Sequence, residues 1–130
     1  MWQFVAFAAL CLAFWDGATT VMGVVNIFGN NVFGLSTGVF GALGTFAIIY
    51  ITDKEEINIG GHGAVLGFFL FIVVLFDFYT SFQGNLYLAE YASVPTDYRA
   101  SIMSGFLCLC MVASPVILRR AIRKISLDTL

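Results

Sequence analysis

Two aspartates, Asp16 and Asp77, lie within strongly apolar segments and share the same local pattern. When they are aligned, an offset of 61 residues, both segments read D-x-x-T-[TS]-x-x-G. Once the aspartates are matched, agreement at three further positions arises by chance on the order of one time in a thousand at average residue usage. We interpret the two segments as an internal duplication. Their polar residues form the candidate intramembrane site for an ion or proton, which consists of Asp16, Thr19, Thr20, Asp77, Thr80 and Ser81.

A carboxylate near the centre of a bilayer is costly, by roughly 2.5 to 3.5 kcal/mol on insertion scales, so both aspartates need compensation. The apolar segments contain no Lys or Arg, which excludes an internal ion pair of the usual kind. Four compensations remain open. The first is protonation of the carboxyls, and the second is hydrogen bonds from nearby hydroxyls. The third is a cation or water between the carboxyls, and the fourth is a polar group from another subunit. The hydroxyls one turn away belong to Thr19, Thr20, Thr80 and Ser81.

These compensations correspond to different roles for Asp16 and Asp77. The first role is structural, in which hydrogen bonds from the aspartates fix the register of the helices. The second is relay of a proton or a monovalent cation, since an intramembrane acid indicates function by default. The third is contact with another subunit or a ligand. The sequence leaves all three open.

Other reactive side chains are few. His62 is the only histidine and lies among glycines, where a solvated residue near a helix start is the ordinary interpretation. The three cysteines lie inside apolar runs without CxxC spacing and are expected to be inert. The chain contains no GxSxG, P-loop, haem-ligand pair or zinc pattern. We therefore expect neither an enzyme nor a cofactor or metal site.

The composition predicts a membrane protein. Hydrophobic residues make up 60% of the 130 residues and charged residues only 11%, far outside the range of soluble globular chains. The lipid bilayer is therefore the expected environment. A net charge of −2 and the absence of a basic stripe argue against nucleic acid as a partner.

Windows of about 20 residues predict four membrane-spanning helices within a single domain, residues 1–130. The predicted spans cover residues 2–25, 33–51, 63–82 and 101–118. The first hydrophobic stretch is interpreted as a span, because no Lys or Arg precedes it as in a signal peptide.

The three connections have different compositions. A tight turn at 29–31 fits an antiparallel helical hairpin, and residues 52–62 form a charged, solvated loop. The connection at 85–100 is expected at the membrane interface, where part of it extends the third helix. Either Thr96 or Asp97 is expected to cap the fourth helix.

Each predicted helix has one face of small residues that suits close packing. The packing glycines are Gly23, Gly34, Gly38, Gly41, Gly63, Gly67 and Gly84. The predicted fold is therefore all-α, a transmembrane four-helix bundle made of two related hairpins. Because each hairpin contains two helices, the repeats are expected to be parallel in the membrane.

The C-terminal region carries the main basic cluster, at Arg119, Arg120, Arg123 and Lys124. The positive-inside rule places this cluster in the cytoplasm, and an even number of spans places both termini there. Our first functional hypothesis is a non-enzymatic subunit of a homo-oligomer or a larger membrane complex, in which the Asp motifs mediate helix or subunit contacts. The alternative is a small ion or proton channel or transporter that uses Asp16 and Asp77.

Overall fold

A computed structural model describes residues 1–52, 63–95 and 97–128 of the chain. The described residues form four helices, α1 (Trp2–Phe28), α2 (Val32–Ile51), α3 (Gly63–Tyr91) and α4 (Tyr98–Asp128). All four are long and apolar enough to cross a membrane. The prediction of an all-α, multi-pass four-helix bundle is confirmed.

The helices α3 and α4 extend beyond the predicted spans. Helix α3 continues to Tyr91, nine residues past the predicted end at Phe82, so much of the expected third connection is helical. Helix α4 has 31 residues and includes the basic cluster. A hydropathy window ends a span where polar residues begin, whereas a helix continues for as long as its backbone hydrogen bonds and packing allow. In α3 the polar Asn85 is buried against the bundle, which supports the extension.

The turn between α1 and α2 is short and well defined. Gly29 adopts a positive φ of 85°, a conformation that favours glycine. The Asn31 side chain caps α2 by accepting a hydrogen bond from the Gly34 amide at 2.8 Å, and its amide group donates to the Phe28 carbonyl at 2.8 Å. Phe28 and Phe33 pack edge to face across the turn. The segment therefore forms the predicted helical hairpin.

Asp97 caps the start of α4. Its carboxylate accepts hydrogen bonds from the amides of Arg99 at 3.0 Å and Ala100 at 3.2 Å. The alternative cap, Thr96, and His62 lie outside the described residues, as does the charged loop of the second connection after Thr52.

The interior of the bundle is rich in small and polar residues, whereas its outer surface is apolar. Helix α1 packs against each of the other three helices. The buried residues of α1 are Ala9, Asp16, Thr19, Thr20, Gly23, Val24 and Val25. Large apolar side chains point outward instead, for example Phe14 (80% exposed) and Phe40 (75% exposed). Such an exposed surface is unfavourable in water and suits contact with lipid.

Glycines allow the closest helix contacts. A Cβ at Gly23 would overlap the Thr80 backbone, and a Cβ at Gly84 would overlap the Thr19 backbone. The two helices α1 and α3 therefore meet main chain to main chain at these positions.

The other predicted packing glycines have varied surroundings. Within the α1–α2 hairpin, a Cβ at Gly34 would overlap the Gly29 carbonyl oxygen, and one at Gly38 would lie 3.1 Å from the Val21 backbone. A Cβ at Gly41 would lie 3.8 Å from the Phe76 ring, which is ordinary contact. Gly63 is buried and Gly67 is half-buried.

The basic end of α4 contacts the end of α2. The Arg119 guanidinium donates to the Tyr50 carbonyl at 3.2 Å and to the Ile51 carbonyl at 2.8 Å. The last carbonyls of a helix have no partner within the helix and carry partial negative charge, so a cation stabilises them. This contact places the basic cluster and the C-terminal end of α2 at the same end of the bundle.

Candidate functional site

The two aspartates lie in the interior of the bundle. Asp16 on α1 is 6% exposed and Asp77 on α3 is 2% exposed. Because both side chains are covered by helices of their own chain, they mediate helix contacts within the chain.

Two hydroxyl groups connect the carboxyls. Ser81 donates to Asp16 Oδ1 at 2.6 Å, and Thr20 lies 3.3 Å from Asp77 Oδ1 as a donor. The two hydroxyl oxygens are 2.9 Å apart, and either can donate to the other. A continuous row of oxygens therefore runs from Asp16 through Ser81 and Thr20 to Asp77.

The other two predicted hydroxyls contact their own helices instead. Thr19 donates to the carbonyls of Trp15 at 3.1 Å and Asp16 at 3.0 Å. Thr80 has the equivalent position in α3, donating to the carbonyls of Phe76 at 2.9 Å and Asp77 at 3.1 Å. Of the four hydroxyls considered as donors to the carboxyls, those of Thr19 and Thr80 therefore do not bond them. Each lies three residues after its aspartate, and its backbone packs against the final glycine of the opposite segment.

Contacts between α1 and α3 occur in reciprocal pairs. The hydroxyl residue of each D-x-x-T-[TS]-x-x-G segment contacts the aspartate of the other, as Thr20 with Asp77 and Ser81 with Asp16. The final glycine of each segment likewise lies against the first threonine of the other. Equivalent positions in the two segments thus have equivalent surroundings.

A third hydroxyl, from α2, also reaches the site. Thr45 donates to Asp77 Oδ1 at 3.1 Å and to the Ala42 carbonyl at 3.1 Å. Sequence reasoning did not assign Thr45 to the site. The feature of the sequence that could have indicated Thr45 is its position on the face of α2 that carries small residues, four residues after Gly41.

A second polar group lies beside the carboxyl pair. Asn85 accepts a hydrogen bond from the Trp15 indole at 3.2 Å and donates to the Ser81 carbonyl at 2.9 Å. The Asn85 amide also lies 3.6 Å from the Cys108 sulfur on α4. These contacts link three helices, and no sequence motif indicated them.

The two carboxyl groups are joined to each other through the Ser81 and Thr20 hydroxyls. The hydroxyl donors all reach Oδ1 atoms, and within the described residues no hydrogen bond reaches the Oδ2 atom of either aspartate. No group of three His, Cys, Asp or Glu residues that could hold a metal ion occurs in the described part of the chain. The site is therefore a pair of carboxyls surrounded by hydroxyls.

A cleft between α1 and α2 reaches both aspartates. Its volume is about 310 Å³. Apart from the carboxyls its lining is apolar and consists of Ala13, Phe14, Gly17, Ala18, Val21, Val39, Ala42, Leu43 and Phe46. Phe14 and Leu43, which are exposed on the outer surface, lie at its margin. The cleft thus connects the carboxyl pair with the lipid-facing side of the bundle.

Comparison with models of known protein families, with curated proteins and with solved structures gives no match to this chain. Fold and site define it as a small polytopic membrane protein with a buried pair of carboxyl groups.

Proposed function

We propose that this chain is a small non-enzymatic channel or transporter in which the Asp16–Asp77 pair binds and relays a proton. One observation carries the proposal. Two carboxyls, joined by a hydrogen-bonded row of hydroxyls, lie in the interior of a membrane bundle. Before Arg119, the described helices contain only one Lys or Arg, the exposed Arg99 at the start of α4. Two adjacent carboxylates without a cation repel each other strongly in a medium of low dielectric constant. A proton held between them removes that repulsion.

The hydroxyl row supports relay of this proton. Each hydroxyl can accept one hydrogen bond while donating another. When Asp16 is protonated it donates to Ser81, Ser81 donates to Thr20 and Thr20 donates to Asp77. Transfer of one proton along each of these bonds then matches a proton that arrives at Asp16 with one that leaves Asp77. A monovalent cation at the same place would compete with the proton.

The test compares Asp16→Asn and Asp77→Asn with the unchanged protein. Infrared difference spectra should show the band of a protonated carboxyl in the unchanged protein, and each substitution should remove or shift it. Proton flux in proteoliposomes should fall by at least tenfold in both variants. Asp97→Asn is the matched control, because Asp97 is exposed and Asn also caps helices.

Assembly is measured on the same samples by native mass spectrometry. Abolished flux with unchanged assembly would support the proposal. Unchanged flux with lost assembly would contradict it and favour the second candidate.

The second candidate is a subunit of a homo-oligomer or of a larger membrane complex. The observation in its favour is that the cleft is lined by the small residues Ala13, Gly17, Ala18 and Ala42. A Cβ at Gly17 would meet nothing within 4 Å, so this face has room for a neighbouring helix. The variant Ala18→Cys should then crosslink to a second copy or to a co-purifying membrane protein. Absence of both products would contradict this candidate.

Two further features of the chain belong to the proposal. The reciprocal contacts between α1 and α3 support an origin of the two segments by duplication. The basic cluster supports a cytoplasmic location for the C-terminus, and for the N-terminus by the even number of spans. A fluorescent reporter fused after Leu130 should be active in cells, whereas a reporter that requires export should be inactive there.

A further inference from the structure

The cleft between α1 and α2 has the properties of a small-molecule site that contains negative charge. Its volume of about 310 Å³ is at the lower end of the range of roughly 300 to 1,000 Å³ that is typical of such sites. Asp16 and Asp77 are each more than nine-tenths buried and line the cleft. Among the described residues, the polar side chains that line the cleft are therefore both acids.

Hydrogen bonds leave part of each carboxyl available. The donors Ser81, Thr20 and Thr45 all reach Oδ1 atoms, and no described hydroxyl or amide reaches an Oδ2 atom. A primary ammonium group has three N–H donors and one positive charge, which match two carboxyl oxygens and the excess negative charge.

The remaining lining favours an organic cation over a metal ion. The Phe14 and Phe46 rings and the Leu43 side chain offer apolar contact to the carbon part of such a ligand. An alkali or alkaline-earth metal ion would instead need several more oxygen ligands. The hydroxyls of Thr20, Thr45 and Ser81 already bond the carboxyls and do not line the cleft.

We propose that this cleft binds a primary amine that carries an apolar group, with the ammonium between Asp16 and Asp77 and the apolar group against Phe14, Leu43 and Phe46. The inference rests on the proposed function, because binding displaces the proton of the carboxyl pair. The ammonium forms hydrogen bonds to the carboxylates and the displaced proton passes to water. The charge of the site is unchanged, no covalent bond to carbon forms or breaks, and nothing is oxidised or reduced.

The probe is 2-phenylethylamine, and its neutral counterpart is 2-phenylethanol. Both are titrated onto the full chain in nanodiscs of neutral lipid. We expect saturable binding of the amine together with release of about one proton per site, measured with a pH indicator in weak buffer. The alcohol should only partition into the lipid without saturation. Saturable binding of the alcohol with equal affinity would contradict the inference.

A pair of variants locates the site. Phe46→Ala should weaken amine binding about tenfold, because it removes apolar contact between the ring and the apolar group of the amine. Phe40→Ala is the matched control, since Phe40 lies on the same helix and is 75% exposed outside the cleft. Equal affinities of the two variants would contradict the inference.

The experiment separates this inference from the proposed function. A protonated carboxyl band and proton flux without saturable amine binding would overturn the amine site alone. If the unchanged protein showed neither a protonated carboxyl band nor proton flux, both the amine site and the proposed function would be overturned. Size-exclusion elution and helical content verify that each variant is folded, so that weakened binding reports on the cleft.

Discussion

The hydroxyl oxygens of Thr20 and Ser81 lie 2.9 Å apart, and the two residues occupy equivalent places in the two D-x-x-T-[TS]-x-x-G segments. Each hydroxyl also contacts the aspartate of the opposite segment. The contact between α1 and α3 therefore joins both carboxyls into one hydrogen-bonded group, and a change at any of the four positions is expected to affect the others.

The hydroxyl row gives a prediction with a neighbouring control. Thr20→Val removes the hydroxyl that bridges Ser81 and Asp77, and we expect it to lower the free energy of unfolding by about 1 kcal/mol, as for other hydrogen bonds between membrane helices. Thr19→Val removes a hydroxyl that bonds only its own helix backbone, so its cost should be less than half as large. Unfolding in mixed micelles measures both, and equal costs would contradict the assignment.

The glycine contacts give a second prediction. Gly23→Ala and Gly84→Ala should each destabilise the bundle by about 1 to 3 kcal/mol, because the added methyl overlaps backbone of the facing helix. Gly105→Ala is the control, since a Cβ there would meet nothing within 4 Å. Alanine also favours the helix over glycine, so this variant should be neutral or more stable by up to about 1 kcal/mol. Thermal unfolding in detergent measures the difference, and a destabilised Gly105→Ala would contradict it.

The contact between α4 and the end of α2 gives a third prediction. Arg119→Gln removes the cation that binds the carbonyls of Tyr50 and Ile51, and should destabilise by about 0.3 to 1 kcal/mol. Amide hydrogen exchange should increase in the last turn of α2. Arg120→Gln removes the same charge from the exposed neighbouring position and should leave this exchange unchanged. Faster exchange in the Arg120 variant would indicate an effect of net charge instead.

The cap of α4 gives a fourth prediction. Asp97→Ala leaves the amides of Arg99 and Ala100 without the carboxylate and should cost about 0.5 to 2 kcal/mol. Asp97→Asn keeps a side-chain oxygen at the same place, so its cost should be at most about three tenths of the cost of Asp97→Ala. Circular dichroism during thermal unfolding compares the two. If Asn and Ala were equally destabilising, the charge rather than the hydrogen bonds would be the stabilising feature.

The sequence was sufficient for the number and class of the helices, because hydropathy reports directly on burial in lipid. It was also sufficient for the face of each helix that carries the aspartates, since steps of three and four residues from Asp16 reach Thr20 and Gly23, and equivalent steps from Asp77 reach Ser81 and Gly84.

Contacts between distant segments could not be predicted in this way. The contribution of Thr45 depends on how α2 lies against α3, and the bonds of Asn85 to Trp15 and Cys108 depend on the packing of three helices. No local pattern encodes these arrangements. The length by which α3 extends past Phe82 could not be predicted for a related reason, since Asn85 is polar in sequence but buried in the bundle.

The reciprocal glycines also limit how the protein can change by mutation. A larger residue at Gly23 or Gly84 meets main-chain atoms of Thr80 or Thr19, which every amino acid possesses. No substitution on the facing helix can therefore create the missing room by removing side-chain atoms. In a genetic selection, revertants of Gly23→Ala or Gly84→Ala should restore glycine at the original codon. Compensating substitutions should not occur at Thr80 for the first variant or at Thr19 for the second.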